Sequence, residues 1–338
     1  MTKKKTTIVS VVLFAVIFAA LLITATFTDF QVSSILTAKP LASHEYITNS
    51  AFGAMFEAFG SVPVYLVTAF AAEILFWYAI RKNKDSKTGI YLLSLLPLAL
   101  TLVMNYVLTN DVMNYVLKHL FMTDDASPYS GAAYLIGVEV FMALLLAFFE
   151  IMAVNNFSDE SIEKLVRFAI AVLVTAAVAQ IIIELLKSPV GRIRYRAMNL
   201  DPDNEIHGFS AFARWYEING DKWKALYPDR ASRLAEFGST DTFKSFPSGH
   251  TCAAGATYSL IMLNKALDIK KKSVRVLLWV CPILFTGTVA VSRIAVGAHF
   301  FSDVLVGGTI AFVCMIAARE IFLFRGEHFK ALFGKKEG

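Results

Sequence analysis

Apolar residues in this chain fall into long blocks set apart by short polar stretches, with little two-residue alternation. Eight blocks stand out, at about 7–26, 62–80, 90–108, 131–154, 164–186, 249–264, 274–292 and 300–323. Most are close to the ~20 residues that carry a helix across the ~30 Å hydrocarbon core of a bilayer. The pattern predicts an all-α fold, a polytopic membrane helical bundle of about eight transmembrane helices. Lys3, Lys4 and Lys5 precede the first block. Its length suits an uncleaved first span better than a cleaved secretory signal, although small residues follow it.

Composition agrees. Of 338 residues, 56% are hydrophobic and only 17% charged, where a soluble chain carries about a quarter charged. The net charge of +5 comes mainly from residues at the ends of apolar blocks, which speaks against a nucleic-acid partner. Cys252, Cys281 and Cys314 lie inside apolar segments without metal-like spacing. Neither a Walker phosphate loop nor a dinucleotide fingerprint is present.

Basic residues also orient the spans. Lys3 to Lys5 share one side with Arg81, Lys82, Lys84 and Lys87, with Lys265, Lys270, Lys271, Lys272 and Arg275, and with Arg325, Lys330, Lys335 and Lys336. The opposite short loops, 28–61 and 109–130, hold only Lys39 and Lys118. The positive-inside rule then makes both termini cytoplasmic and puts the 187–248 loop and the 293–299 turn outside. That loop is rich in aromatics: Phe209, Phe212, Trp215, Tyr216, Trp223, Tyr227 and Phe237. It reads either as a cap over a site or as a surface loop with its own small core. Residues 45–60 read as a short interfacial helix. Within the spans, Glu73 and Glu139 are expected to make structural hydrogen bonds, and Glu184 to pair with Lys187 one turn later.

Three stretches on the outer side carry chemistry. The first is Lys187-Ser188-Pro189-Val190-Gly191-Arg192-Ile193-Arg194, where Pro and Gly are expected to end the helix so that the cations converge. A lysine point charge and an arginine fork suit phosphate oxygens, whereas simple snorkelling would not explain so many cations on this side. The second is Phe246-Pro247-Ser248-Gly249-His250, which sets a His at a helix mouth among free backbone N–H groups. Alone it is no more than an N-cap. The third, Ser292 to Asp303, holds Arg293 and puts His299 and Asp303 on one helix face. There an Asp can orient an imidazole, or merely make a structural hydrogen bond.

Together the stretches resemble the type 2 phosphatidic acid phosphatase (PAP2) superfamily, with its pattern K-x-x-x-x-x-x-R-P, P-S-G-H and S-R-x-x-x-x-x-H-x-x-x-D. Tyr195 stands where the family has Pro. The resemblance implies that His299 is the nucleophile, Asp303 orients it and His250 protonates the leaving oxygen. Lys187, Arg194, Ser248, Gly249 and Arg293 would bind phosphate, with Arg192 a possible further contact. No metal or other cofactor is implied. Residues 1–160 would be the first four spans, 161–325 the catalytic core and 326–338 a cytoplasmic tail.

The expected activity is that of a metal-independent phosphatase acting on a membrane lipid phosphate through a phosphohistidine. Phosphatidic acid, phosphatidylglycerophosphate and undecaprenyl pyrophosphate are the substrates that the resemblance implies, in a bacterial plasma membrane with the site extracytoplasmic. A lipid-linked phosphotransferase using the same intermediate is the alternative. A non-catalytic transporter or scaffold is the reading from another class.

Overall fold

A computed structural model describes residues 3–37, 50–82, 87–121, 132–198, 211–237 and 239–327. Lys39, Lys84, Phe209, Lys330, Lys335, Lys336, residues 45–49 of the expected interfacial helix and the 328–338 part of the tail lie outside them. The described residues are helices and connecting turns, without strands. In chain order these are α1 (Lys3–Thr37), α2 (Ala51–Phe59), α3 (Val62–Lys82), α4 (Lys87–Phe121), α5 (Ala133–Asn155) and α6 (Asp159–Val190). Two short helices follow, α7 (Gly220–Leu226) and α8 (Arg230–Phe237). The chain then makes α9 (Gly249–Ala254), a 3-10 segment (Gly255–Met262), α10 (Leu263–Ala266), α11 (Lys272–Ala295) and α12 (Phe301–Phe322).

Among the described residues, seven helical stretches are long and apolar enough to cross a bilayer, as in an integral membrane protein. Phe141, Leu144, Phe148, Ile181, Leu185 and Leu284 point outward from them, exposed, as lipid-facing side chains do. Eight spans were expected, and the 249–264 block is the exception. It is helical throughout but divided into α9, the 3-10 segment and α10. It still runs from one end of the bundle to the other. His250 meets Tyr115 of α4 edge-on at 5.3 Å between ring centroids, while Lys265 sits 5.1 Å over the Phe324 ring beyond α12. The larger rise per residue in 3-10 geometry gives this run a reach of about 30 Å.

Two helices exceed their apolar blocks. α1 continues to Thr37 and α4 to Phe121, so much of the expected 109–130 loop is helix. Pro189 does not end α6 as expected. It lies inside the last turn, and the stop is Gly191, in the left-handed conformation (φ 54°), with its N–H donating to the Lys187 carbonyl at 3.0 Å. Glycine takes that conformation without a Cβ penalty, and the next turn carries Arg192 and Arg194 back over the site.

The main core lies among α3, α6, the 249–266 run and α12, around Val172, Ile183, Ile261 and Met315. The outer loop has its own core of Ile193, Tyr195, Trp223, Phe237, Phe243 and Phe300, with Trp223 stacked on Phe243 at 4.3 Å. α1 lies antiparallel to α12, with Phe14 on Phe312 and Asp29 on Ser302. This brings the C-terminal end of α1 into the site.

Candidate active site

All three stretches reach one end of the bundle. His299, in the turn between α11 and α12, is 2% exposed, and its Nδ1 lies 2.5 Å from the Ser245 carbonyl. A carbonyl only accepts, so Nδ1 carries the proton and Nε2 keeps its lone pair. Burial, reinforced by the Arg194 and Arg293 charges, holds the imidazole well below the usual histidine range. A neutral ring with a bare nitrogen beside two guanidinium groups is chemically able to act as a nucleophile toward an anion.

Asp303 supports that ring through an intermediary, in place of the direct bond expected. Its Oδ2 is 4.0 Å from His299 Nδ1. The same oxygen accepts from Ser245 Oγ at 2.6 Å and from the Phe300 N–H at 2.9 Å. Asp303 thus fixes Ser245, and the Ser245 carbonyl fixes His299. The reason is local: Asp303 is the third residue of α12, where a carboxylate caps the free N–H groups of the first turn.

Arg192 departs furthest from expectation. It is fully buried and spends its donors on protein: Nε on the Ala213 carbonyl at 2.8 Å, Nη1 on Asp303 Oδ1 at 2.6 Å and Nη2 on Asp29 Oδ2 at 2.9 Å. Its guanidinium also lies 4.1 Å over the Phe300 ring. So placed, it is a brace between α1, α12 and the outer loop rather than a phosphate contact. Asp29, absent from the sequence reading, completes the brace by accepting from the Ser302 N–H at 2.8 Å and from its hydroxyl.

The remaining cations line the site. Lys187 donates to Glu184 at 2.7 Å, as expected, and its Nζ is so close to Gly249 that a Cβ there would stand 3.0 Å away. Arg194 keeps an extended backbone (φ −76°, ψ 143°), the conformation that a following proline would favour. Tyr195, buried against Phe30 and Phe300, holds that direction in proline's place. Arg194 also neighbours Asp241, 4.0 Å away. Burial raises the Asp241 carboxyl, but the Arg194, Lys244 and Lys187 charges outweigh it and hold the group well below the carboxylate range.

Ser248 is fully buried and uses its hydroxyl to cap α9 through the Thr251 N–H. His250 Nε2 faces the Glu57 carbonyl at 3.2 Å, which leaves Nδ1 to handle a proton. Glu57, on α2, is the second residue that sequence reasoning missed. It is 2% exposed and lies 2.8 Å from Arg293 Nη2, 3.5 Å from Arg196 Nη1, 3.7 Å from Lys118 Nζ and 3.2 Å from His119 Nε2. Among the described residues, Arg293 Nε and Nη1 and Arg194 Nε are buried without hydrogen-bond partners. Buried donors are rarely left so, and these are the groups that an oxyanion would occupy.

A cavity of about 550 Å³ opens on the His250 side, lined by Lys187, Gly249 and His250 at its upper end. It descends between α3, α4 and α6 past Met104, Leu100, Ala176 and Leu173. From Lys187 to Leu173 is about 20 Å of helix. Charged groups at one end and hydrocarbon at the other give it the polarity of an amphiphile. Among the described residues no group of three or more His, Cys, Asp or Glu side chains is placed to hold a metal ion.

Residues 168–327 match the family model of the PAP2 superfamily. That segment is similar to the PAP2 superfamily. Comparison with curated proteins and with solved structures gave no match. The PAP2 segment contains every motif residue from Lys187 to Asp303 and begins after α5, so Asp29, Glu57, Lys118 and His119 come from outside it. The match suggests phosphatase or phosphotransferase activity on phosphate esters.

Proposed function

We propose that this PAP2 protein hydrolyses a membrane lipid phosphate through a phosphohistidine on His299, without a metal ion. The observation that carries the reading is the bare Nε2 of His299 beside buried guanidinium donors that have no protein partner. In the first step Nε2 attacks phosphorus and the bond to the lipid oxygen breaks. His250 passes a proton to that oxygen, and the lipid alcohol leaves into the cavity that His250 lines. Water then attacks phosphorus, His250 takes its proton, and inorganic phosphate departs with Nε2 restored. Arg194, Arg293, Lys187 and the Gly249 amide hold the three non-bridging oxygens, where spreading negative charge gives the largest catalytic effect. Ser248 serves by fixing the mouth of α9. The polarity of the cavity favours a lipid over a soluble phosphate ester.

The basic loops at the far end of the bundle support an extracytoplasmic site. Labelling of a cysteine placed at Thr240 by a membrane-impermeant maleimide in intact cells checks this, and labelling only after lysis would reverse it. The activity itself is tested by free phosphate released from a panel of lipid phosphates in detergent with excess chelator. Wild-type protein should release phosphate, and His299→Ala should lose about 10³-fold or more. Strict dependence on a divalent ion, or full activity in His299→Ala, would overturn the reading. Adding an acceptor alcohol separates hydrolysis from phosphoryl transfer by product.

A further inference from the structure

Below His250 the cavity carries a polar group that the reaction as described does not use. Asp111 of α4 lines the wall with Ser61 and Tyr65. Asp111 Oδ2 accepts from Ser61 Oγ at 2.7 Å and from the Tyr65 hydroxyl at 3.3 Å, and among the described residues Oδ1 takes no hydrogen bond. All three residues precede the PAP2 segment.

Depth can be read along α4. Tyr115, whose ring meets His250, is four residues beyond Asp111 and so on the same helix face, about 6 Å along the axis. Met104 and Leu100 continue down the cavity from Asp111. From the phosphate end inward the wall therefore presents His250, then a carboxylate, then a mainly apolar stretch that also holds Thr68 and Gln180. A carboxylate about one helical turn below the leaving oxygen faces the first carbons of the leaving group. It would repel a second phosphate and accept from a hydroxyl or ammonium.

Resting on the phosphatase reading, we infer that Asp111 selects lipid phosphates whose leaving group bears a hydroxyl or ammonium on the carbon next to the ester carbon. Ser61 and Tyr65 hold Oδ2, which aims Oδ1 at that donor. Asp111 is a specificity residue and takes no part in moving the phosphoryl group. Burying a carboxylate against a substrate donor discriminates strongly, because the analogue without the donor leaves the charge unpaired.

The test compares three pure lipids with purified full-length protein in detergent: phosphatidic acid, lysophosphatidic acid with a free hydroxyl on the middle glycerol carbon, and a sphingoid-base phosphate with an ammonium there. Wild type should favour the two donor-bearing lipids in kcat/KM by about tenfold or more. In Asp111→Asn and Asp111→Ala that ratio should collapse toward one, with phosphatidic acid turnover retained or raised because no buried charge is left unpaired. That preserved turnover is also the control for folding. An unchanged ratio in both variants overturns the proposal, as does an equal loss on all three lipids, which marks a structural role. A wild type that is active without preference sinks this inference alone. Absence of release from any lipid phosphate sinks the phosphatase reading and this one with it.

Discussion

The Ser245 carbonyl fixes which nitrogen of His299 is free, and burial, reinforced by the surrounding cations, favours the neutral ring. Because the folded ring binds a proton less readily than an ordinary histidine of pKa about 6.5, it stays neutral below that pH. The sign for stability follows. This contribution is fully present above about pH 6.5 and is lost as pH falls toward the depressed folded value. For catalysis, the acid limb of kcat/KM, which reports free enzyme, should lie below pH 6.5. Arg194→Gln removes one depressing charge and should move that limb upward while lowering kcat/KM by about 10²-fold. A pH series on both proteins checks this, and an unmoved limb would remove Arg194 from the neighbourhood of His299.

At the level of elements, the site is held together by helices far apart in sequence. α1 supplies Asp29 to the start of α12, and α2 supplies Glu57 to Arg293, 236 residues away. Glu57 takes Nη2 of Arg293 and leaves Nε and Nη1 for an anion. Removing one partner of a buried ion pair strands the other charge. Glu57→Gln should therefore destabilise the protein by about 3 kcal/mol, seen as a lower thermal midpoint in detergent. It should also impair turnover, since the Glu57 carbonyl and α2 position His250. A variant of unchanged stability would show that Arg293, Arg196 and Lys118 need no counter-charge.

These long-range partners explain what sequence could reveal. The spans were legible because lipid demands long apolar helices, and the three motifs because each keeps its residues within one turn or cap. Arg192 was legible only as a possible further phosphate contact, because spacing tells which residues are near, not which carboxylates have already claimed a guanidinium. Asp29 and Glu57 gave no local signal beyond being acids at the outer ends of apolar segments. The 249–266 run was legible as apolar, but its 3-10 winding was not, since that depends on packing against neighbours.

Over the whole molecule, the proposed reaction needs a phosphate held between two imidazoles. His299 stands in the turn before α12, and His250 stands at the mouth of a cavity that is charged above and apolar below. A lipid seated with its phosphate at the cations and its chain between α3, α4 and α6 presents phosphorus to one ring and its leaving oxygen to the other. The most direct measurement is a rapid quench of wild-type protein with a ³²P-labelled lipid phosphate, followed by peptide mapping. The account predicts acid-labile, base-stable label on His299, absent in His299→Ala and released as phosphate in the wild type on a timescale compatible with turnover. Label on another residue, or undiminished phosphate release by His299→Ala, would contradict it.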